Sequence, residues 1–277
     1  MKEIKRILFA TDGSEYSLGA QRVAIELAQR CRAEFHAMSI MLSTQDLEFV
    51  GTHQMRESRE AEIQARLDTV AEAAKAAGLA CTTHLVYGEQ PEHEIVNTAR
   101  GIEADLVVLG RRGRRGLARF MVGHATAYVA GHAPCSVLVV PRTARVWQQR
   151  ILLATDGSPA SEEATRLATD VARQCHMPVT VLSATTASHS AQRKQEARLS
   201  VDQAVTALVA AGVNSDGLVP EGRPDEVVIE AARNTGADLI VVGSHGRTGL
   251  SRLFLGSISE RIIGQAQCPV LVARGGV

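Results

Sequence analysis

The chain repeats itself, and that repeat limits the fold more than any other feature of the sequence. Arg6-Ile7-Leu8-Phe9-Ala10-Thr11-Asp12-Gly13-Ser14 returns as Arg150-Ile151-Leu152-Leu153-Ala154-Thr155-Asp156-Gly157-Ser158. Ala104-Asp105-Leu106-Val107-Val108-Leu109-Gly110 returns as Ala237-Asp238-Leu239-Ile240-Val241-Val242-Gly243. Cys135-Ser136-Val137-Leu138-Val139-Val140 returns as Cys268-Pro269-Val270-Leu271-Val272-Ala273. The first pair is offset by 144 residues and the other two by 133, so the second copy is 11 residues shorter between its first and fourth strands. The polar stretch 43–55, which has no clear counterpart, is the expected place. The 277 residues thus divide into domains 1–143 and 150–277, each of ordinary domain size, joined by a linker near 142–149.

Within each copy, short apolar runs alternate with amphipathic stretches. Residues 4–10 and 151–154 are apolar and bounded by turn residues, as buried strands are. Ala20, Val23, Ala24, Leu27 and Ala28 fall at helical spacing, as do Ala164, Leu167, Ala168, Val171 and Ala172. Ser158 followed by Pro159 is a helix-start signal. Further strands are predicted near 34–41, 80–86, 105–110 and 136–140, with helices near 56–77, 91–101 and 121–132. In the second copy, strands are predicted near 178–184, 213–219, 238–243 and 269–273. This alternation predicts an α/β fold: two tandem doubly wound domains, each with a parallel sheet covered by helices on both faces. Such sheets bind ligands beyond the carboxyl ends of their strands, where the strand order reverses.

Composition narrows the function classes. The formal net charge is zero, and each part balances separately, with 17 basic and 17 acidic residues in 1–143 and 13 of each in 144–277. Nucleic-acid binding is therefore not expected, because such domains usually carry a basic excess. The excess of Arg over Lys fits either phosphate recognition or codon bias. Aromatic residues are only 3% of the chain, so the core must be aliphatic. Cys31, Cys81, Cys135, Cys175 and Cys268 are odd in number and contain no CxxC pair, which predicts free buried thiols and neither disulfides nor zinc. No signal-peptide core or bilayer-length apolar run is present. The expected location is the cytoplasm, with no membrane partner.

The unusual residues follow the fourth strand of the second copy. Gly243-Ser244-His245-Gly246-Arg247-Thr248-Gly249 leads through 250–255 to Gly256-Ser257-Ile258-Ser259. The spacing Gly-x2-Gly-x9-Gly-Ser ends in a helix. Glycines admit a phosphate close to backbone N–H groups, and a helix N-terminus adds free donors and partial positive charge. Ser257 and Ser259 offer hydroxyls, and Arg247 a cation. Ordinary turn-forming glycines are the alternative. Asp12 and Asp156 carry a similar pair of readings, a local turn with the next amides or a ligand-facing or metal-adjacent role.

Thr155-Asp156-Gly157-Ser158, the Gly-x2-Gly-x9-Gly-Ser loop and the closing Cys268-Pro269-Val270-Leu271-Val272 strand together resemble the universal stress protein family, over nearly the whole chain and twice. The resemblance implies a five-stranded parallel sheet in each domain, in the order 3-2-1-4-5. It implies ATP or an AMP-type nucleotide as cofactor. It also implies last-strand pairing, either between the two copies or across a homodimer. Adenine and ribose are expected against Ala154, Thr155, Asp156 and a second-strand residue near Ala184. Phosphates are expected at Gly243, Gly246, Gly256, Ser257 and Ser259, and Val242, Arg247 and Ile258 complete the candidate nucleotide-binding set. Mg²⁺ is an expectation only because ATP usually carries it.

The first copy departs from that pattern. It reads Gly110-Arg111-Arg112-Gly113-Arg114-Arg115-Gly116, and Gly123-His124 stands where the second copy has Gly256-Ser257. Thr11, Asp12, Gly110, Gly113, Gly123 and His124 are the candidate cradle there, with Thr126 as a substitute hydroxyl. The clustered arginines fit either phosphate attraction or a solvated surface. Whether this copy binds nucleotide is left open.

No Walker A run, Ser-Gly-Gly-x-Asp loop or His-Ile-Gly-His motif is present, so efficient ATP turnover is not indicated. No catalytic residue is assigned. The expected function is a nucleotide-dependent regulator in stress response. A weak ATPase or phosphotransferase and an adaptor with vestigial sites are the rivals.

Overall fold

The computed structural model describes residues 4–42, 53–111, 123–247 and 255–274. In the first half the elements are β1 (Arg6–Ala10), a 3-10 turn (Glu15–Ser17), α1 (Leu18–Cys31), β2 (Glu34–Leu42), α2 (His53–Ala76), β3 (Cys81–Gly88), α3 (Pro91–Gly101), β4 (Leu106–Gly110), α4 (His124–His132) and β5 (Ser136–Val140). The second half has β6 (Ile151–Ala154), α5 (Pro159–Cys175), β7 (Val179–Leu182), α6 (Ala191–Ala210), β8 (Ser215–Leu218), α7 (Pro224–Thr235), β9 (Leu239–Gly243), α8 (Ser257–Gln265) and β10 (Val270–Ala273).

All ten strands form one sheet in the order β3-β2-β1-β4-β5-β10-β9-β6-β7-β8. Within each half the order is 3-2-1-4-5 and every pairing is parallel. The halves meet antiparallel, with Val270 opposite Val139, Leu271 opposite Leu138 and Val272 opposite Val137. Each last strand is thereby covered by the other, which removes an exposed edge from both halves.

Apolar spacing explains which helix faces are buried. Ala20, Val23, Ala24, Leu27 and Ala28 are buried on α1, and Ala164, Ala168, Val171 and Ala172 on α5, with Leu167 packed partly against the same cluster. Small alanines let these helices lie close to a sheet of Val, Leu and Ile. Each face of the sheet carries one core running through both halves. One joins Phe9, Phe35 and Leu67 to Leu153, Val181 and Leu208, and the other joins Leu8, Val107 and Val139 to Leu152, Ile240 and Val270. The connection between the halves is part of this core, since Ala144, Val146 and Trp147 are buried in the first cluster.

Two expectations need correction. Strands buried on both faces describe the centre of the sheet but not the edge strand β8, where Asp216, Gly217 and Leu218 are exposed. A short, polar edge strand resists pairing with another chain. The five cysteines are free, but only Cys135 is fully buried and the others are half-buried.

The shortening of the second copy can also be placed. Thr11 N–H donates to Met38 and Thr155 N–H to Leu182, equivalent positions still 144 apart. Gly78 and Gly212, both at positive φ after the next helix, are 134 apart. Most of the lost length therefore lies between β2 and the end of α2, a stretch that includes the undescribed residues 43–52.

The repeated Ala-Asp segments serve the amino end of the sheet. Asp238 accepts from the N–H groups of Gln148, Gln149 and Arg150, and Asp105 from those of Lys5 and Arg6. These carboxylates fix the start of each half, away from the edge where the glycines gather. Among the described residues no helix is long and apolar enough to cross a membrane.

Candidate functional site

The second-half site is assembled where β6, β7 and β9 end. β6 buries Ile151, Leu152 and Leu153 and delivers Ala154, Thr155 and Asp156 to the carboxyl edge. Thr155 is buried. Its N–H continues the ladder to Leu182 O at 2.8 Å, and its hydroxyl donates to Ser161 Oγ at 3.1 Å. Gly157, at φ +75°, turns the chain into α5, and Ser158 caps that helix by accepting the Ser161 N–H at 3.3 Å.

Asp156 uses both carboxylate oxygens. Oδ1 accepts the Ser158 N–H at 3.0 Å, which is the local turn the sequence left open. Oδ2 accepts the Arg247 N–H at 2.9 Å and so fastens the glycine loop to the end of the first strand. The residue makes the turn and lines the cavity as well.

The three glycines of the loop are required for different reasons. A Cβ on Gly246 would lie 2.7 Å from Asp156 Oδ2, so a side chain there collides with the carboxylate that holds the loop. A Cβ on Gly243 would lie 2.9 Å from the backbone of Ala160, and one on Gly110 would lie 2.6 Å from Tyr16 O. At those two strand ends, smallness admits the chain that leaves the neighbouring strand, the first turn of α5 after β6 and the 3-10 turn after β1. Gly256 is the N-cap of α8, and its N–H donates to Ser244 O at 2.8 Å. Ser259, expected as a hydroxyl donor to phosphate, gives its proton to Gly243 O at 2.9 Å and presents only acceptor capacity beyond that. Ser257 and Ile258 are exposed on the first turn of α8.

These parts surround a cavity of about 450 Å³, inside the range of roughly 300–1,000 Å³ usual for small-molecule sites. Ala154, Thr155, Asp156, Ala184, Val242, Gly243, Gly246, Arg247, Gly256, Ser257, Ile258 and Ser259 all line it. It opens at the reversal of strand order between β6 and β9. Leu182, Val228, Val242 and Ile262 supply an apolar wall, while the glycine loop, Ser257, Arg193 and Arg247 supply a polar one.

Sequence reasoning missed Leu182, Ser183, His189, Arg193, Pro224 and Val228. Leu182 and Ser183 were within reach of the strand-end rule, because they sit at and just past the end of β7. Arg193 and Val228 come from the first turns of α6 and α7, whose lean over the sheet leaves no trace in local spacing. Among the described residues no group of three or more His, Cys, Asp and Glu is placed to hold a metal ion.

The first half repeats the turn, and His124 stands there in place of Ser257. Thr11 Oγ donates to Ser17 Oγ at 2.9 Å, and Asp12 Oδ1 accepts the Ser14 N–H at 3.0 Å. Arg66 of α2 donates to Asp12 O at 3.1 Å and lies over Gly13. Gly110 closes β4 and Gly123 is the N-cap of α4. His124 is largely exposed and directs Nδ1 to Glu92 Oε1 at 3.1 Å. Gly113 and the arginines at 112, 114 and 115 lie outside the described residues. The remaining arginine, Arg111, crosses to the second half and donates to Ile263 O at 3.1 Å and Gly264 O at 2.8 Å. It caps the carboxyl end of α8, a structural use distinct from both readings of the arginine cluster.

Comparison with known proteins agrees with this architecture. The model of the "Universal stress protein family" matches residues 3–141 and again 148–274. A universal stress protein of Mycobacterium tuberculosis is 34% identical over 187 residues, covering 62% of this chain and 62% of its own length. The chain therefore spans about three-fifths of the length of that relative. A universal stress protein of Methanocaldococcus jannaschii is 32% identical over 139 residues, covering 46% of this chain and 82% of its own. Among solved structures, a universal stress protein from Archaeoglobus fulgidus superposes with a TM-score of 0.78 at 17% identity, covering 99% of this chain and 97% of its own. That likeness concerns the fold alone.

Proposed function

The chain belongs to the universal stress protein family, and from that premise we propose that it is a nucleotide-dependent regulator whose second half holds ATP. The observation that carries this reading is the convergence of the glycine loop, the α8 N-terminus and the Thr155–Asp156 strand end on one cavity of about 450 Å³. Its apolar wall suits a flat base. The polar wall suits a polyphosphate, because the α8 N-terminus directs free N–H groups and partial positive charge to one side. Gly246 supports the fit, since a Cβ at that position would strike Asp156.

A divalent cation would arrive with the nucleotide, and Asp156 is the carboxylate that lines the cavity. In this reading 1–143 and 150–277 are two domains of one regulator, working in the cytoplasm as the tandem equivalent of a dimer. The second copy is the nucleotide-responsive one, because Arg66 covers the Asp12–Gly13 turn in the first.

The test begins with the purified chain, denatured and examined by mass spectrometry for co-purified adenine nucleotide. Calorimetric titration with ATP and Mg²⁺ follows, then a phosphate-release assay. Binding without turnover supports the regulator, and sustained phosphate release would replace it with the enzyme reading. Absence of any adenine-nucleotide affinity would leave the adaptor reading in its place.

A further inference from the structure

Three side chains at the rim of the second-half cavity form a small network that the glycine-loop pattern does not contain. Glu196 on α6 offers one oxygen, Oε2, to two guanidinium groups. Arg247 Nη2 lies 2.9 Å from it and Arg193 Nη1 3.4 Å. Arg247 follows the glycine that touches Asp156, whereas Arg193 and Glu196 come from the first turns of α6. Ser190 caps that helix and accepts the Arg193 N–H at 3.1 Å.

The position of this network is informative. Arg193 and Arg247 line the cavity, whereas Glu196 lines the adjoining groove beside Ser158 and Ser200. Cavity and groove share His245, Gly246 and Arg247, so the ion pair stands at their boundary. For a ligand with its base against Val228 and Val242, these arginines stand where the cavity gives way to the groove.

We propose that Arg193 and Arg247 seat the outermost phosphate of the bound nucleotide, and that Glu196 is a competing carboxylate holding both guanidinium groups until that phosphate displaces it. This rests on the reading of the cavity as a nucleotide site and adds what selects a triphosphate over a monophosphate. The displacement is favourable on physical grounds. The side chains of Glu196 and Arg247 are 33% and 40% exposed, and ion pairs in such settings contribute little. A terminal phosphate brings more charge and three acceptor oxygens against one shared carboxylate oxygen, and guanidinium groups bind it in a bidentate manner.

The first half has the same residue types in a different arrangement. Arg59 and Glu62 of α2 occupy the places of Arg193 and Glu196 at the 134-residue offset set by Gly78 and Gly212. Arg66 takes the place of Ser200. It pairs with Glu62 and donates to Asp12 O at 3.1 Å, so it is turned onto the strand-end turn. Arg114, the counterpart of Arg247 at the 133-residue offset, lies outside the described residues, so the rim network is described for the second copy alone.

The experiment measures ATP, ADP and AMP dissociation constants by calorimetry on the full chain. Glu196→Gln keeps the shape and removes the competing charge, so it should tighten ATP by roughly three- to tenfold while AMP stays within about twofold. Arg193→Met and Arg247→Met should each abolish most of the preference for ATP over AMP. Arg247→Met retains the backbone N–H that reaches Asp156. Glu163→Gln, which removes a half-buried partner of Arg166 on α5, is the control and should change none of the three constants. An ATP-to-AMP ratio unchanged by all three rim variants overturns the proposal while leaving the nucleotide site standing. A wild-type chain that binds none of the three nucleotides overturns the site itself, and the rim seat with it.

Discussion

Asp156 Oδ2 accepts the backbone N–H of Arg247 at 2.9 Å, joining two points 91 residues apart in the chain. This bond closes the cavity, because it draws the glycine loop that follows β9 against the turn that follows β6. Gly246 stands between the two partners, and a Cβ there would fit only if the Asp156 carboxylate moved. Loop and turn thus form one unit, and the site should respond to changes in either part.

Gly246→Val should separate that unit. The added Cβ would sit 2.7 Å from Asp156 Oδ2, and the branched side chain would push the Arg247 amide off the carboxylate. ATP affinity is expected to fall at least about tenfold, roughly the loss of one charge-assisted hydrogen bond plus displacement of the loop. The helical circular dichroism should be retained, which distinguishes loss of the site from loss of the fold.

Gly243→Ala and Gly110→Ala should act on stability. A methyl group at either position meets backbone, that of Ala160 at 2.9 Å or of Tyr16 at 2.6 Å, and backbone cannot rotate aside. Each is expected to cost about 1–3 kcal/mol, the usual cost of overpacking. Denaturant titration of the two variants reads that cost directly, and equal losses would show that the two copies share this packing rule.

The junction between the halves should depend on two arginines. Arg111 donates to Ile263 O and Gly264 O, and Arg274 donates to Ala130 O and Gly131 O, so each half caps the last helix of the other. Burial lowers the pKa of both guanidinium groups, but they remain cationic at neutral pH. Arg111→Met or Arg274→Met leaves carbonyl groups without their donor, at an expected cost of about 1–3 kcal/mol each. Limited proteolysis of the connection around the buried Trp147 should accelerate in both variants.

Acid should weaken the first half through two neighbouring imidazoles. His36 Nδ1 and His84 Nε2 are 3.0 Å apart on β2 and β3, and the His84 pKa is lowered by burial first and by His36 second. The folded chain therefore takes up this proton less readily than the unfolded chain. Stability from His84 is complete above the ordinary histidine pKa of about 6.5 and declines as pH falls below it toward the depressed folded value. Thermal unfolding between pH 7.5 and 5 should show this decline, and His84→Gln should reduce its slope.

Thiol chemistry should report the core. Burial pushes Cys268 up to about 11 and also raises Cys31 and Cys81, so these groups are protonated at pH 8. Alkylation of Cys268 in the folded chain is expected to be at least about tenfold slower than in denaturant, since the thiolate is the reactive form. Cys268 packs, partly buried, against the core cluster that holds Val139 and Val270, and a rapid native reaction there would contradict that packing.

The sequence by itself determined the two copies, the alternation of strand and helix and the edge of the sheet at which to look. Those properties are written in local order: apolar runs flanked by turn residues, alanines at helical spacing, and an Asp and a glycine loop directly after strands. The three-dimensional structure decided what crosses between elements. Spacing along the chain does not reveal that Ser259 gives its proton to Gly243, that Arg111 leaves its own loop to cap α8, or that α6 brings Arg193 and Glu196 to the cavity rim. Each depends on how helices lean on a twisted sheet. That lean is set by the packing of many small side chains together, so no single stretch of the chain encodes it.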